Sequence, residues 1–141
     1  MTVPVTDQER ALKFYTTKLG FRVKVDVPCP EWPQRWIAMV MPCSSIELVL
    51  FTGQDFEEMV GKHMNVMFAT NDIEKTYKSL VAHGVEVLAP PKREFWGSYI
   101  TIKDSEGNMF CVGQDHAKKN KMRCQLSRFF NVFRRCWAGC Q

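Results

Sequence analysis

The chain carries a degenerate copy of itself, and that constrains its fold more than any other feature. Asp7-Gln8-Glu9-Arg10-Ala11-Leu12-Lys13 returns as Asp72-Ile73-Glu74-Lys75-Thr76-Tyr77-Lys78. Each copy runs into a glycine-closed apolar step, Leu19-Gly20-Phe21-Arg22-Val23 and then His83-Gly84-Val85-Glu86-Val87, with the two glycines 64 positions apart. A repeat of this length means one supersecondary unit used twice, each copy burying an apolar face that could not be stable alone. Thr6 with Glu9 and Asn71 with Glu74 have capping-box spacing, which predicts a helix start at each copy. Leu12, Tyr15 and Leu19, and then Tyr77, Leu80 and Val81, keep helical spacing, and Gly20 and Gly84 supply the left-handed residue that closes each helix.

Strand-like runs flank both helices. Thr2–Val5 precedes the first helix, with 21–27, 35–41 and 45–51 after it; 65–69 precedes the second, with 85–88, 98–103 and 108–113 after it. The predicted order is β-α-β-β-β, twice, with breaks at Pro28–Pro33 and Pro90-Pro91 and a linker at 53–62. The fold class is therefore α+β, in one domain over 1–115 made of modules at about 1–52 and 64–115, followed by a tail over 116–141.

Charge sets the tail apart. Residues 1–115 carry 12 Lys and Arg against 15 Asp and Glu, whereas 116–141 carry seven basic residues and no acid. The basic balance belongs to the tail alone, so no nucleic-acid partner is expected for the domain. Ala117–Arg123 reads as a solvated basic stretch. Beyond it Leu126, Phe129, Phe130, Phe133, Trp137 and Cys140 share one helical face, with Arg128, Asn131, Arg134 and Arg135 around the rest. This predicts a C-terminal cationic amphipathic helix suited to docking on the domain, a dimer contact or a membrane surface, or else a passive extension; a membrane is considered only through this tail. Cys124, Cys136 and Cys140 lack zinc-site spacing, and the six cysteines in all read as thiols. With no span-length apolar run and no signal peptide in Met1-Thr2-Val3-Pro4, a cytoplasmic location is expected.

Together, Val3-Pro4-Val5-Thr6-Asp7, Phe14-Tyr15 with Leu19-Gly20-Phe21, Asn71-Asp72-Ile73 and the hairpin Asp104-Ser105-Glu106-Gly107-Asn108-Met109-Phe110 resemble the vicinal oxygen chelate superfamily of glyoxalases, extradiol dioxygenases and bleomycin-resistance proteins. In the hairpin, Ser105 stands where the family pattern has proline. Over 2–115 the resemblance implies two βαβββ modules whose strands form a curled mixed sheet around one cup, often in a homodimer. In family enzymes the cup holds a divalent metal, with one ligand from the first and one from the last strand of each module. Here the first position falls before Met1, the second is Glu47, the third is Asn65 in place of histidine, and the fourth is Cys111 in place of glutamate. One carboxylate, one neutral amide and one thiol are a poor set for zinc or for a hard divalent ion.

Strand alternation gives the same placement from the residues themselves. Asn65, Met67 and Ala69 alternate with Val66 and Phe68; Cys111 lies between Phe110 and Val112; Glu47, Val49 and Phe51 alternate with Ile46, Leu48 and Leu50. Glu47 is the sharpest residue, a carboxylate on an otherwise apolar strand, read either as facing a ligand or as a partly solvated charge paired with a nearby Arg. Cys111 reads as a small buried hydrophobe, with no base identifiable beside it, and His63, His83 and His116 show no ligand spacing. Trp36 and Trp96, with Tyr99 in the strand after Trp96, supply rings that either stack on a ligand or pack the rim; Arg35 points to the face opposite Trp36. Two functions follow. The first is a small-molecule binding protein with a metal-free cup and no cofactor, for an aromatic or cationic ligand contacted by Glu47, Asn65, Met67, Cys111, Trp36, Trp96, Tyr99 and Phe51. The alternative is a metal-dependent lyase, isomerase or dioxygenase of the glyoxalase type that completes its site from a partner chain or from residues upstream of Met1. A third is a scaffold whose tail helix is the working part.

Overall fold

The structure is a computed structural model that describes residues 1–42 and 44–116. Cys43 and the tail, with its expected helix and its cysteines, lie outside the described residues. The chain divides into two compact units, Met1–Lys62 with Asp104–Asn108, and His63–Lys103 with the chain from Met109.

In the first unit the order is β1 (Thr2–Pro4), α1 (Gln8–Thr17), β2 (Arg22–Pro28), β3 (Arg35–Val40), β4 (Glu47–Phe51) and a single helical turn, α2 (Gln54–Glu57). The sheet runs β1-β4-β3-β2, with β1 parallel to β4 and the other pairs antiparallel. Helix α1 buries Ala11, Phe14 and Tyr15, and Tyr15 meets the rings of Phe14 and Phe21 edge-on at 5.5 Å. Val3, Ile37, Met39, Leu48 and Leu50 complete the core, each side chain stabilising the unit by about 1.5–3 kcal/mol through burial. Gln8 fixes the helix start on the sheet: its amide nitrogen donates to the carbonyls of Arg35 (2.8 Å) and Leu50 (3.0 Å), and its oxygen accepts from Arg35 N.

The second unit contains β5 (His63–Ala69), α3 (Ile73–Ala82), β6 (Glu86–Val87), β7 (Lys92–Arg93), β8 (Gly97–Lys103) and β9 (Met109–Asp115). Its sheet runs β5-β9-β8-β6, with β7 also on β8 and β5 parallel to β9. Ile73, Leu80, Val85, Ile100, Ile102, Phe110 and Val112 form the core. Buried Thr76 shares a 2.7 Å hydrogen bond with Thr70, and Gln114 Oε1 accepts from Ile73 N at the start of α3. The protein is thus α+β with two mixed sheets, of four and five strands. Among the described residues no helix is long and apolar enough to cross a membrane.

Several expectations shift. The helix caps are Asp7 and Asp72 rather than Thr6 and Asn71: each carboxylate accepts the amide three residues on, Arg10 N and Lys75 N, at 3.0 Å. A carboxylate is favoured there because it also meets the positive end of the helix dipole. Gly20 and Gly84 do close the helices, at φ 73° and 72°. The linker at 53–62 contains α2, and the proline-bounded segment before β8 contributes the short pair β6 and β7. Ile46 falls outside the expected alternation: it precedes β4 and is exposed.

Candidate functional site

Each unit leaves one sheet face free of its helix, and the expected site residues divide between these two faces. On the first unit Glu47, Val49 and Phe51 are half-exposed and alternate with buried Leu48 and Leu50. Ala38 pairs with Val49 and Val40 with Glu47, which brings Trp36, at the exposed start of β3, onto the same face. Arg35 points the other way and pairs with Glu9 and Asp26. Phe51 meets Trp32 at 5.4 Å and Phe56 at 4.7 Å, both edge-on, so this face is lined with rings; Trp32, like Trp36, is exposed.

Glu47 is paired. The β2–β3 register slips between Val23 and Val25, and Lys24, at that slip, places its amine on the Glu47 carboxylate. The partner is a lysine in place of the expected arginine, and a bulge of this kind has no clear sequence signature.

On the second unit β5 alternates strictly. His63, Asn65, Met67 and Ala69 are exposed, while Val66 and Phe68 turn toward the interior. Cys111 lies opposite Met67 on one side and Thr101 on the other, half-exposed between buried Phe110 and Val112. Next in register comes Gly113, between Ala69 and Tyr99. A Cβ at position 113 would lie 2.5 Å from Met67 Sδ and 3.5 Å from the Trp96 ring, so thioether and indole both lie over bare backbone. Trp96 is held in the turn that feeds β8, where Glu94 N donates to Gly97 O at 2.7 Å, and it stacks on Tyr99 with ring centres 6.0 Å apart and planes 22° apart. Gly97 is required as well: a Cβ there would meet Gln114 O at 2.0 Å.

One reading from the sequence is corrected here. His63 begins β5 and its Nε2 is 3.6 Å from Cys111 Sγ, so a base does stand beside the thiol. Thr101 Oγ1 is 4.0 Å from the same sulfur. The register shift between His63 and Met67 turns the imidazole onto Cys111, and linear spacing gave no sign of it.

The residues do not fit a divalent metal. Glu47 is held by Lys24, Asn65 brings no charge, Cys111 faces His63, and among the described residues no group of three His, Cys, Asp or Glu side chains is placed to hold an ion.

The strongest electrostatics lie in the hairpin tip, Asp104–Asn108, within the first unit. Asp104 Oδ2 accepts from Tyr15 OH (2.7 Å) and Asn108 Nδ2, while its Oδ1 accepts the amides of Glu106 and Asn108. Asn108 also donates to Pro4 O and accepts from Gly61 N. Glu106 accepts from Thr6 N and Oγ1 and from both Nε and Nη2 of Arg10. Burial pushes the Asp104 carboxyl up, only partly offset by its hydrogen bonds. Burial would also raise Glu106, but the Thr6 and Arg10 interactions outweigh it and hold that carboxyl below its ordinary value. The carboxylates of Asp104 and Glu106 both meet structural partners, and the arrangement serves the fold.

Comparison with known proteins agrees with these observations. Residues 1–112 match the family model of the Glyoxalase/Bleomycin resistance protein/Dioxygenase superfamily. The protein YetH of Bacillus subtilis is 31% identical over 113 residues, 79% of this chain and 92% of YetH. Among solved structures, TnmS3, an antibiotic binding protein from Streptomyces sp. CB03234, is 29% identical with a TM-score of 0.71 over 82% of this chain and 92% of its own. A superfamily member from Sphaerobacter thermophilus is likewise 29% identical, with a TM-score of 0.72 over 82% and 94%.

Proposed function

This chain belongs to the Glyoxalase/Bleomycin resistance protein/Dioxygenase superfamily, and we propose that it serves there as a small-molecule binding protein, holding a flat aromatic ligand without a metal. The observation that carries the reading is the platform over Gly113, where Met67 and the stacked pair Trp96 and Tyr99 cover bare backbone. Two half-exposed rings and a polarizable thioether offer dispersion to a planar ligand with little loss of side-chain freedom. Asn65 and Thr101 stand on the same face as hydrogen-bonding groups. The likeness to an antibiotic binding protein supports this class of function over catalysis. The face of the first unit that carries Glu47, Trp36 and Phe51 is by itself a candidate for cationic aromatics, although Lys24 must yield before Glu47 can meet a cation.

The test is a titration of intrinsic tryptophan fluorescence with a panel of neutral and cationic planar aromatics, run on the wild type, Trp96→Ala and Trp36→Ala. The reading predicts saturable quenching by at least one compound, weakened by roughly 1–2 kcal/mol in Trp96→Ala. A panel hit whose affinity is unchanged in Trp96→Ala would remove the platform from the site.

A further inference from the structure

We propose that Cys111 and His63 form a nucleophile–base pair that captures conjugated carbonyl electrophiles as thioether adducts. The proposal names one ligand chemistry for the same face. It rests on the binding reading only for the ligand's flatness, since the pair stands on its own geometry. Cys111 Sγ lies 3.6 Å from His63 Nε2, the thiol is half-exposed, and the imidazole begins an exposed strand position. A thiol beside an imidazole is the arrangement that activates cysteine, because the thiolate is the reacting species and the base receives its proton.

The surroundings select the electrophile. Met67 is the register partner of Cys111 and extends over Gly113 to the Trp96 ring, so the thiol adjoins an apolar platform that suits a planar conjugated system. Thr101 Oγ1, at 4.0 Å from the sulfur on the neighbouring strand, adds a hydroxyl within reach of a carbonyl oxygen. The step balances without any oxidant or reductant. With the imidazole proton on Nδ1, Nε2 takes the proton from Sγ–H. Sulfur then bonds to the β-carbon, the carbon–carbon π bond breaks toward the carbonyl, and the proton passes from Nε2 to the α-carbon. The product is a saturated thioether, and the reverse elimination releases the ligand.

Cys29 is an internal reference, since it is also a half-exposed free thiol. The experiment treats the full chain with limiting N-ethylmaleimide and follows each cysteine by peptide mass mapping, in the wild type and in His63→Gln. Cys111 is expected to react at least tenfold faster than Cys29, and His63→Gln to bring Cys111 down toward the Cys29 rate while leaving Cys29 unchanged. An unchanged Cys29 rate also reports that the variant is folded. Equal rates at Cys111 and Cys29 in the wild type, or a Cys111 rate indifferent to His63→Gln, would overturn the pair. N-ethylmaleimide has no aromatic ring, and the comparison of wild type with His63→Gln leaves the Trp96 platform in place in both proteins, so it reads the imidazole alone. Failure here would therefore leave the fluorescence titration standing, and failure of that titration would leave this result standing.

Discussion

Single atoms decide much of this protein's behaviour. At Gly113 the absence of a Cβ admits Met67 Sδ and the Trp96 ring over the strand. Gly113→Val is expected to push Met67 off the platform, since the thioether is flexible and the backbone is not. Affinity for a planar ligand should fall by about 1–2 kcal/mol while the circular dichroism spectrum is retained; unchanged affinity would separate the platform from binding. Ser105 makes the opposite case. Among the described residues its buried hydroxyl has no hydrogen-bond partner, and it stands at the position where the related hairpin pattern carries proline. Ser105→Pro should raise stability by about 0.5–1 kcal/mol by removing that orphan group and stiffening the unfolded turn, as read by urea denaturation. Both residues were visible in the sequence as departures or small residues, but neither consequence was, because each depends on neighbours far along the chain. Glu47 illustrates the same limit: alternation placed it on the open face, while a register slip at Lys24 decided its partner.

At the scale of elements, the hairpin tip couples charge to folding. Glu106 is held below its ordinary pKa by Thr6 and Arg10 against the opposing effect of burial, so the stability it contributes is fully present above the ordinary glutamate range and is lost as pH falls through its lowered folded value. Asp104 runs the other way: burial raises it, so its ionisation lowers stability as pH rises through the raised value. Glu106→Gln should therefore flatten the acid side of the stability profile and lower stability at neutral pH, because the Thr6 and Arg10 hydrogen bonds lose their charged acceptor. A variant that keeps the wild-type acid profile would assign the pH dependence elsewhere. The helices and most strands were legible, because helical spacing, closing glycines and period-two alternation are local signals. Caps one residue late, the turn at α2 and the short β6 and β7 were not, since several side chains compete for each cap and short segments carry little periodicity. The imidazole beside Cys111 was equally hidden, as parallel pairing of β5 with β9 joins residues 48 positions apart.

For the whole molecule, each of the two units has its first strand parallel to its last. Family membership follows from the match over 1–112. Function follows less directly, because one fold hosts metal catalysis and simple binding alike and the difference lies in a few side chains. Here a lysine-paired glutamate on one unit, and an amide with a histidine-paired cysteine on the other, are a poor donor set for a divalent ion, and the proposal is a ligand held by aromatic and thioether contact. The most direct test is calorimetric titration of a panel hit into chelator-treated protein, repeated after addition of zinc, nickel, manganese or ferrous iron, with the ligand recovered and analysed afterwards. The account predicts saturable binding at the same affinity with and without metal, and a ligand recovered chemically intact or as its Cys111 adduct. Binding that appears only with metal, or a ligand turned over into free product, would contradict it.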